Sequence, residues 1–223
     1  MTRAPLKTIV FFGPSIAASE VDRFAAATHA PPIKRRDLDA VDDYDVIVIL
    51  DGEFGQSMSV SPKEILAVLG RGKTVIGASS MGALRASELD RNGMIGVGWV
   101  YDRFRRSAVR RDADVALVYS PFDFKPITVP IVDVVYWMEQ AFGAGLIQAG
   151  ERALLDKAAR SIFFAERSAE RLMEALRRAI GGDALDTLLA FSGGMIPSVK
   201  TLDAAEAVRL SVSLARRRRP IDG

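Results

Sequence analysis

The sequence contains no cysteine and a single histidine, His29. Without a thiol the chain can form no disulfide, carry no persulfide, offer no thiolate nucleophile and bind no metal through sulfur. A Ser-His-Asp triad could be built only around His29, which stands just before Pro31 and Pro32, where a loop or surface role suits it better. Long hydrophobic runs are missing too. The opening MTRAPLKTIVFFG has no extended apolar core followed by a small-residue cleavage site, and Ile9–Phe12 is far too short to span a bilayer. A cytoplasmic location, away from membranes, is the expectation. Strong charge of one sign is also lacking. Lys and Arg number 30 against 28 Asp and Glu, a net +2, so no overall field argues for nucleic acid as a partner.

What is present is ordinary globular material. Of 223 residues, 49% are hydrophobic and 26% charged, enough to bury a sizeable core. Basic residues do clump, at Arg103, Arg105, Arg106, Arg110 and Arg111, and again at Arg216–Arg219. Each clump is either a solvated face or a docking surface for an acidic partner.

Short β-branched runs alternate with helical stretches up to about Gly98. Thr8–Phe12, Val46–Leu50 and Lys73–Gly77 are predicted strands, ending at Gly13-Pro14-Ser15, Asp51-Gly52 and the turn after Gly77. Ser61-Pro62-Lys63-Glu64 predicts a helix start, with Ser61 as cap, Pro62 in the first position and Glu64 closing a capping box. Ala83–Leu89 is the next helix. Further strands are expected at Ala113–Tyr119 and Ile127–Val129, around a Pro-rich loop. From about Asp133 the pattern is helical, with stripes at Leu172, Leu176 and Ile180 and at Leu154 and Ala158. Continuously apolar strands alternating with helices give the fold class α/β: an open, mainly parallel sheet flanked by helices, with a helical C-terminal part. The expected division is a core over residues 1–130 and a helical part over 131–223 packed on it.

In such sheets ligands gather at the carboxyl ends of strands. Ala78-Ser79-Ser80-Met81-Gly82, between a buried strand and a helix, reads small-x-Ser-x-Gly, a nucleophile-elbow pattern with alanine in the first small position. That turn would hold the Ser80 hydroxyl clear of the sheet, beside Ser79 and Gly82, with the Met81 N–H able to stabilise an oxyanion. The bland alternative is a Ser-Ser turn that caps the helix. A serine needs a base, and lysine is the remaining candidate. Lys63 lies in the first turn of its helix, where the positive end of the macrodipole disfavours an ammonium, and partial burial would add to this. It could equally be a solvated helix lysine. Arg85 could bind an anionic substrate tail or pair with Glu88. Asp51 could orient Lys63 or cap a turn. Gly13-Pro14-Ser15 is a faint phosphate-loop signal, lacking both the dinucleotide and the P-loop spacing. No metal site and no cofactor are expected.

Several long motifs in fixed order resemble the TfuA-like family. They are FFGPSI (Phe11–Ile16), ILDGEFG (Ile49–Gly55), SPKEIL (Ser61–Leu66), GASSMGALRASEL (Gly77–Leu89), GMIGVG (Gly93–Gly98) and ADVALVY (Ala113–Tyr119). The resemblance is dense from Val10 to about Tyr119 and thin in the helical remainder. It implies a partner of a YcaO-type enzyme in peptide backbone thioamidation. Such a partner releases sulfide by hydrolysing the C-terminal thiocarboxylate of a ubiquitin-like, ThiS-like sulfur carrier, and helps the YcaO enzyme engage its peptide. The family's serine–lysine pair falls on Ser80 and Lys63. Two other classes stay open: a non-catalytic adaptor of the YcaO enzyme, and a phosphate- or nucleotide-binding α/β protein.

Overall fold

The computed structural model describes residues 6–55, 57–108 and 111–217, with side chains through residue 214. In chain order its elements are β1 (Thr8–Phe11), α1 (Ala18–Phe24), β2 (Thr28–Ala30), β3 (Val46–Ile49), α2 (Pro62–Gly70), β4 (Thr74–Ala78), α3 (Met81–Leu89), β5 (Ile95–Val97) and α4 (Gly98–Arg106). Then follow α5 (Ile131–Gly143), α6 (Ala149–Arg160), α7 (Ala169–Ile180), α8 (Gly182–Phe191) and α9 (Val199–Arg217). The chain divides into two compact units, residues 1–112 with 200–223, and residues 113–199.

The first unit carries a five-stranded sheet in the order β2-β1-β3-β4-β5, with every neighbouring pair parallel. β1, β3 and β4 are buried almost throughout, as continuous Val and Ile runs require. Strand residues alternate between the faces. Val10, Val46, Val48, Ile76, Ala78 and Val97 share a core with Val21 of α1 and with Ala204, Ala205, Ala207 and Val208 of α9. Gly77 faces the other way. A Cβ there would run into the Gly82 carbonyl, and one on Gly82 would run into that of Ile49. These two glycines let α3 lie against β3 and β4 at a distance no side chain would permit.

The α2 start is as expected. Ser61 accepts from the Glu64 N–H at 3.3 Å, and Glu64 in turn accepts from the Ser61 N–H at 2.8 Å. Burial pulls the Glu64 carboxyl upward, but the Ser61 hydroxyl and N–H and the Arg36 N–H outweigh it and hold the group below its ordinary value.

The expected division differs from the observed one in two places: residues 113–130 fall in the second unit, and the last helix in the first. The 200-onward part of α9 belongs with the sheet and not with the helices before it, because its apolar stripe completes the core under β1, β3 and β4. The second unit is α5–α8. Its core includes Trp137, Leu155, Leu172, Leu176, Leu185 and Leu188. On α6 it is Leu155 and Ala159 that are buried, one residue along from the expected Leu154–Ala158 stripe. The buried Arg167 donates to the Ala159, Val129 and Ile162 carbonyls.

The strands expected at Ala113–Tyr119 and Ile127–Val129 do not form. Asp112–Asp114 is a 3-10 turn, and Tyr119 makes an isolated antiparallel bridge with Pro126. Pro121, Pro126 and Pro130 remove ladder donors, and Thr128 satisfies the Val118 N–H with its hydroxyl, at 2.8 Å. β2 and β5, three residues each, complete the sheet where no strand was expected. Among the described residues no helix is long and apolar enough to cross a membrane.

The buried Asp203 of α9 accepts from the Trp99 and Val100 N–H groups at 2.9 and 2.8 Å, so that it caps α4 from a distant helix. Gly98 sits at a φ of 91°, and a Cβ there would collide with the Asp203 carboxyl group. Asp203→Ala strands two donors and removes a negative charge from a helix N-terminus. A loss of about 2–4 kcal/mol in urea unfolding is expected. Asp203→Asn, which keeps an acceptor, should lose less; equal losses would refute the cap.

Candidate functional site

The strand order reverses direction between β1 and β3: β2 lies outward from β1 on one side, and β3, β4 and β5 follow on the other. In doubly wound sheets the crevice beyond the carboxyl ends at such a reversal is where ligands bind. The segments emerging there are Gly13-Pro14-Ser15 after β1 and Asp51 after β3, with Ser79-Ser80 after neighbouring β4.

Asp51 organises this edge. Its Oδ2 accepts from the Gly13 and Ser15 N–H groups, both at 2.9 Å, and its Oδ1 accepts from the Ser15 hydroxyl at 2.5 Å. The Ser79 hydroxyl donates onward to Ser15 Oγ at 2.6 Å. The counter-charge is Lys200 of α9, whose Nζ lies 3.8 Å from Asp51 Oδ1. Ser15, Asp51, Ser79 and Lys200 are each no more than 2% exposed. Of the alternatives for Asp51, the turn cap is thus realised, and its lysine partner is Lys200. The Gly13 and Ser15 amides are occupied by a carboxylate of the protein itself, which leaves neither open to a phosphate.

The serine turn is fastened to the same edge. The Ser80 and Gly82 N–H groups both donate to the Leu50 carbonyl, at 3.2 and 3.3 Å. Ser79 adopts a left-handed φ of 67°, a conformation costing a residue other than glycine about 1–3 kcal/mol and usually kept only where its surroundings enforce it. Ser80 is the residue before α3, yet its hydroxyl does not cap that helix. Among the described residues the hydroxyl has no hydrogen-bond partner, and no sealed side-chain polar atom lacks one, so Ser80 Oγ keeps some access to solvent. The Met81 N–H, first of the helix, likewise has no acceptor among them. A hydroxyl and an N–H without partners among the described residues therefore stand together at a helix N-terminus, on residues only 1% exposed, an arrangement that would suit attack on a carbonyl and stabilisation of the resulting oxyanion.

The remaining expected residues are placed differently. Lys63 is exposed, and among the described residues it makes no hydrogen bond or ion pair. The reason is helical phase: Ile65 and Val68 define the buried face of α2, and Lys63 lies away from it. Of the two alternatives, its exposure matches the solvated helix lysine in the free chain. Arg85 pairs with Glu88 at 2.8 Å and donates to the Val60 carbonyl, also at 2.8 Å, which ties α3 to the segment entering α2. In the Arg103–Arg111 cluster, Arg105 pairs with Asp90, Arg106 with Asp102, and Arg103 lies over the Trp99 ring. Arg110 and the side chains of Arg216–Arg219 lie outside the described residues. Among the described residues no group of three or more acidic or histidine side chains is placed to hold a metal ion.

Lys200 was missed from the sequence, although a signal existed. Lys200, Asp203, Ala204, Ala207, Val208 and Ser211 are spaced three and four apart and all buried. A lysine and an aspartate inside an otherwise small and apolar helical stripe mark charges carried into the core.

A doubly wound sheet with a serine turn beside its switch point defines the class: an α/β protein with an open, parallel sheet. The TfuA-like protein family matches residues 51–168, more than half of the chain, and the chain belongs to that family. The match includes Asp51, Lys63 and the Ser79–Arg85 segment but neither Ser15 nor Lys200. No curated protein matches the sequence. The family is associated with YcaO-dependent thioamidation.

Asp51→Ala should cost about 3–5 kcal/mol, since it leaves Lys200 uncompensated inside the core and the loop donors without an acceptor. Lys63→Met should stay within about 0.5 kcal/mol of wild type, as exposed positions do. Denaturant unfolding of both variants checks the contrast, and similar losses would contradict the buried pair.

Proposed function

We propose that this protein works beside a YcaO-type enzyme in peptide backbone thioamidation and supplies its sulfide. The substrate is a ThiS-like carrier ending in a thiocarboxylate, Ser80 is the nucleophile and Lys63 the base. The observation that carries the reading is the Ser80 hydroxyl, which declines its capping role and stands unpaired beside the open Met81 N–H, in a chain of the TfuA-like family.

The chemistry runs through one acyl intermediate. Neutral Lys63 takes the Ser80 proton as Oγ bonds to the thiocarboxylate carbon, and the oxyanion forms against the Met81 N–H. Collapse breaks the C–S bond, and the Lys63 ammonium returns its proton to the departing sulfur, which leaves as hydrosulfide. Water then attacks the Ser80 ester, with Lys63 accepting its proton and passing it to Ser80 Oγ. The carrier departs as a carboxylic acid, which ionises. A docked carrier that covers Lys63 disfavours its ammonium and so strengthens it as the base.

One observation favours a second reading. Lys63 is solvated and unpaired among the described residues, which equally suits an adaptor that engages the YcaO enzyme without doing chemistry. Sulfide release from a thiocarboxylated carrier separates the two. Ser80→Ala is expected to lower it by about 10³-fold or more, and Lys63→Ala by about 10²- to 10⁴-fold, with unchanged melting temperatures. Near wild-type release by folded Ser80→Ala would leave the adaptor.

A further inference from the structure

An ion pair that is 2% exposed on its lysine side and equally buried at its carboxylate is hard to explain as a stabilising device. Removing two charges from water costs several kcal/mol per ion, and well-packed apolar replacements are often as stable or more so. The Lys200–Asp51 pair also has a direction. From Ser79 Oγ to Ser15 Oγ to Asp51 Oδ1, each hydroxyl donates toward the carboxylate, at 2.6 and then 2.5 Å, and Lys200 closes the chain at 3.8 Å. Its far end is the residue with a φ of 67°, immediately before Ser80. Four elements contribute one member each: the loop after β1, the end of β3, the turn after β4 and the first turn of α9.

We propose that Lys200 is a positioning residue for the serine site, acting through Asp51 and Ser15 on Ser79. Its charge lets the carboxylate sit in the core. The carboxylate fixes the Ser15 hydroxyl as acceptor for Ser79. That bond holds Ser79 in the left-handed conformation which leaves the Ser80 hydroxyl and the Met81 N–H open. Loss of Lys200 lets Asp51 turn toward water and Ser79 relax, and Ser80 leaves its aim. This rests on the hydrolase reading only in taking Ser80 as the reactive group.

The test uses a fluorophosphonate, which labels a poised serine whatever its natural substrate, with the labelled residue located by peptide mass spectrometry. Sulfide release from a thiocarboxylated carrier is measured on the same preparations. Wild type, Lys200→Met, Asp51→Asn and the double variant are compared, with melting temperatures. Lys200→Met is expected to fold, to label Ser80 about 10- to 10²-fold more slowly, and to lose kcat by the same factor at unchanged KM. The double variant removes both charges, leaves no uncompensated one and decides the matter if the single variant does not fold. It should fall no further than the worse single variant, since the two residues act in series. A folded Lys200→Met or double variant that labels at the wild-type rate overturns the proposal, as does a wild type whose Ser80 is not labelled. Labelling that depends on Lys200 while wild type releases no sulfide upholds the positioning role and removes the hydrolase reading. Sulfide release that ignores Lys200 does the reverse.

Discussion

The Asp51 carboxylate is the constraint on which the carboxyl-end edge of the sheet depends. It accepts from two backbone N–H groups of the loop leaving β1 and from the Ser15 hydroxyl. Without it those donors would be orphaned in a region closed to water, at about 1–3 kcal/mol each. The same carboxylate draws the Lys200 ammonium inward, and with it the start of a helix that follows β3 by some 150 residues. Low local dielectric makes such a network strong when complete and costly when broken. Here the Ser79 and Ser15 hydroxyls, the Gly13 and Ser15 N–H groups and the Asp51 carboxylate all have partners, so this one is complete.

α9 then does two things with one face. Lys200 reaches the switch point, and Asp203, one turn on, accepts from the first N–H groups of α4. Between and beyond them Ala204, Ala207 and Val208 press on the sheet. Small residues there let the helix backbone come close, which is what brings a short carboxylate within 3 Å of another helix's amides. A larger side chain at Ala204 or Ala207 would lift both charged groups from their partners together. The helix couples the sheet core through packing, the α4 terminus through the Asp203 hydrogen bonds and the serine edge through the Lys200–Asp51 ion pair.

Most of the sheet was legible because its three central strands are unbroken Val and Ile runs, and the α2 start because Ser-Pro-x-Glu satisfies its donors locally. The short strands β2 and β5 carry no such pattern: β2 is an exposed edge before two prolines, and β5 is broken by Gly96. Both exist because a neighbour supplies their hydrogen bonds. At the site, Ser15, Asp51, Ser79 and Ser80 were legible as residues following strands. Their connection was not, since the chain of hydroxyls depends on which strands are neighbours. Lys200 escaped because its partner is a full domain away in sequence. Lys63 was read either as a base in the first turn of its helix or as a solvated lysine, and its exposure follows from the phase of α2, set by Ile65 and Val68.

The two lysines divide what a serine site requires. Lys200 is buried, with its Nζ 3.8 Å from Asp51 Oδ1, and is suited to hold geometry. Lys63 has the opposite character: it is exposed and has no hydrogen-bond or ion-pair partner among the described residues. A macromolecular substrate that buries Lys63 on docking would change that by desolvation alone, with no rearrangement of the fold. Free solvent and small esters would not. The serine edge is thus assembled in the chain itself, and what a docked partner would add is the desolvation of Lys63.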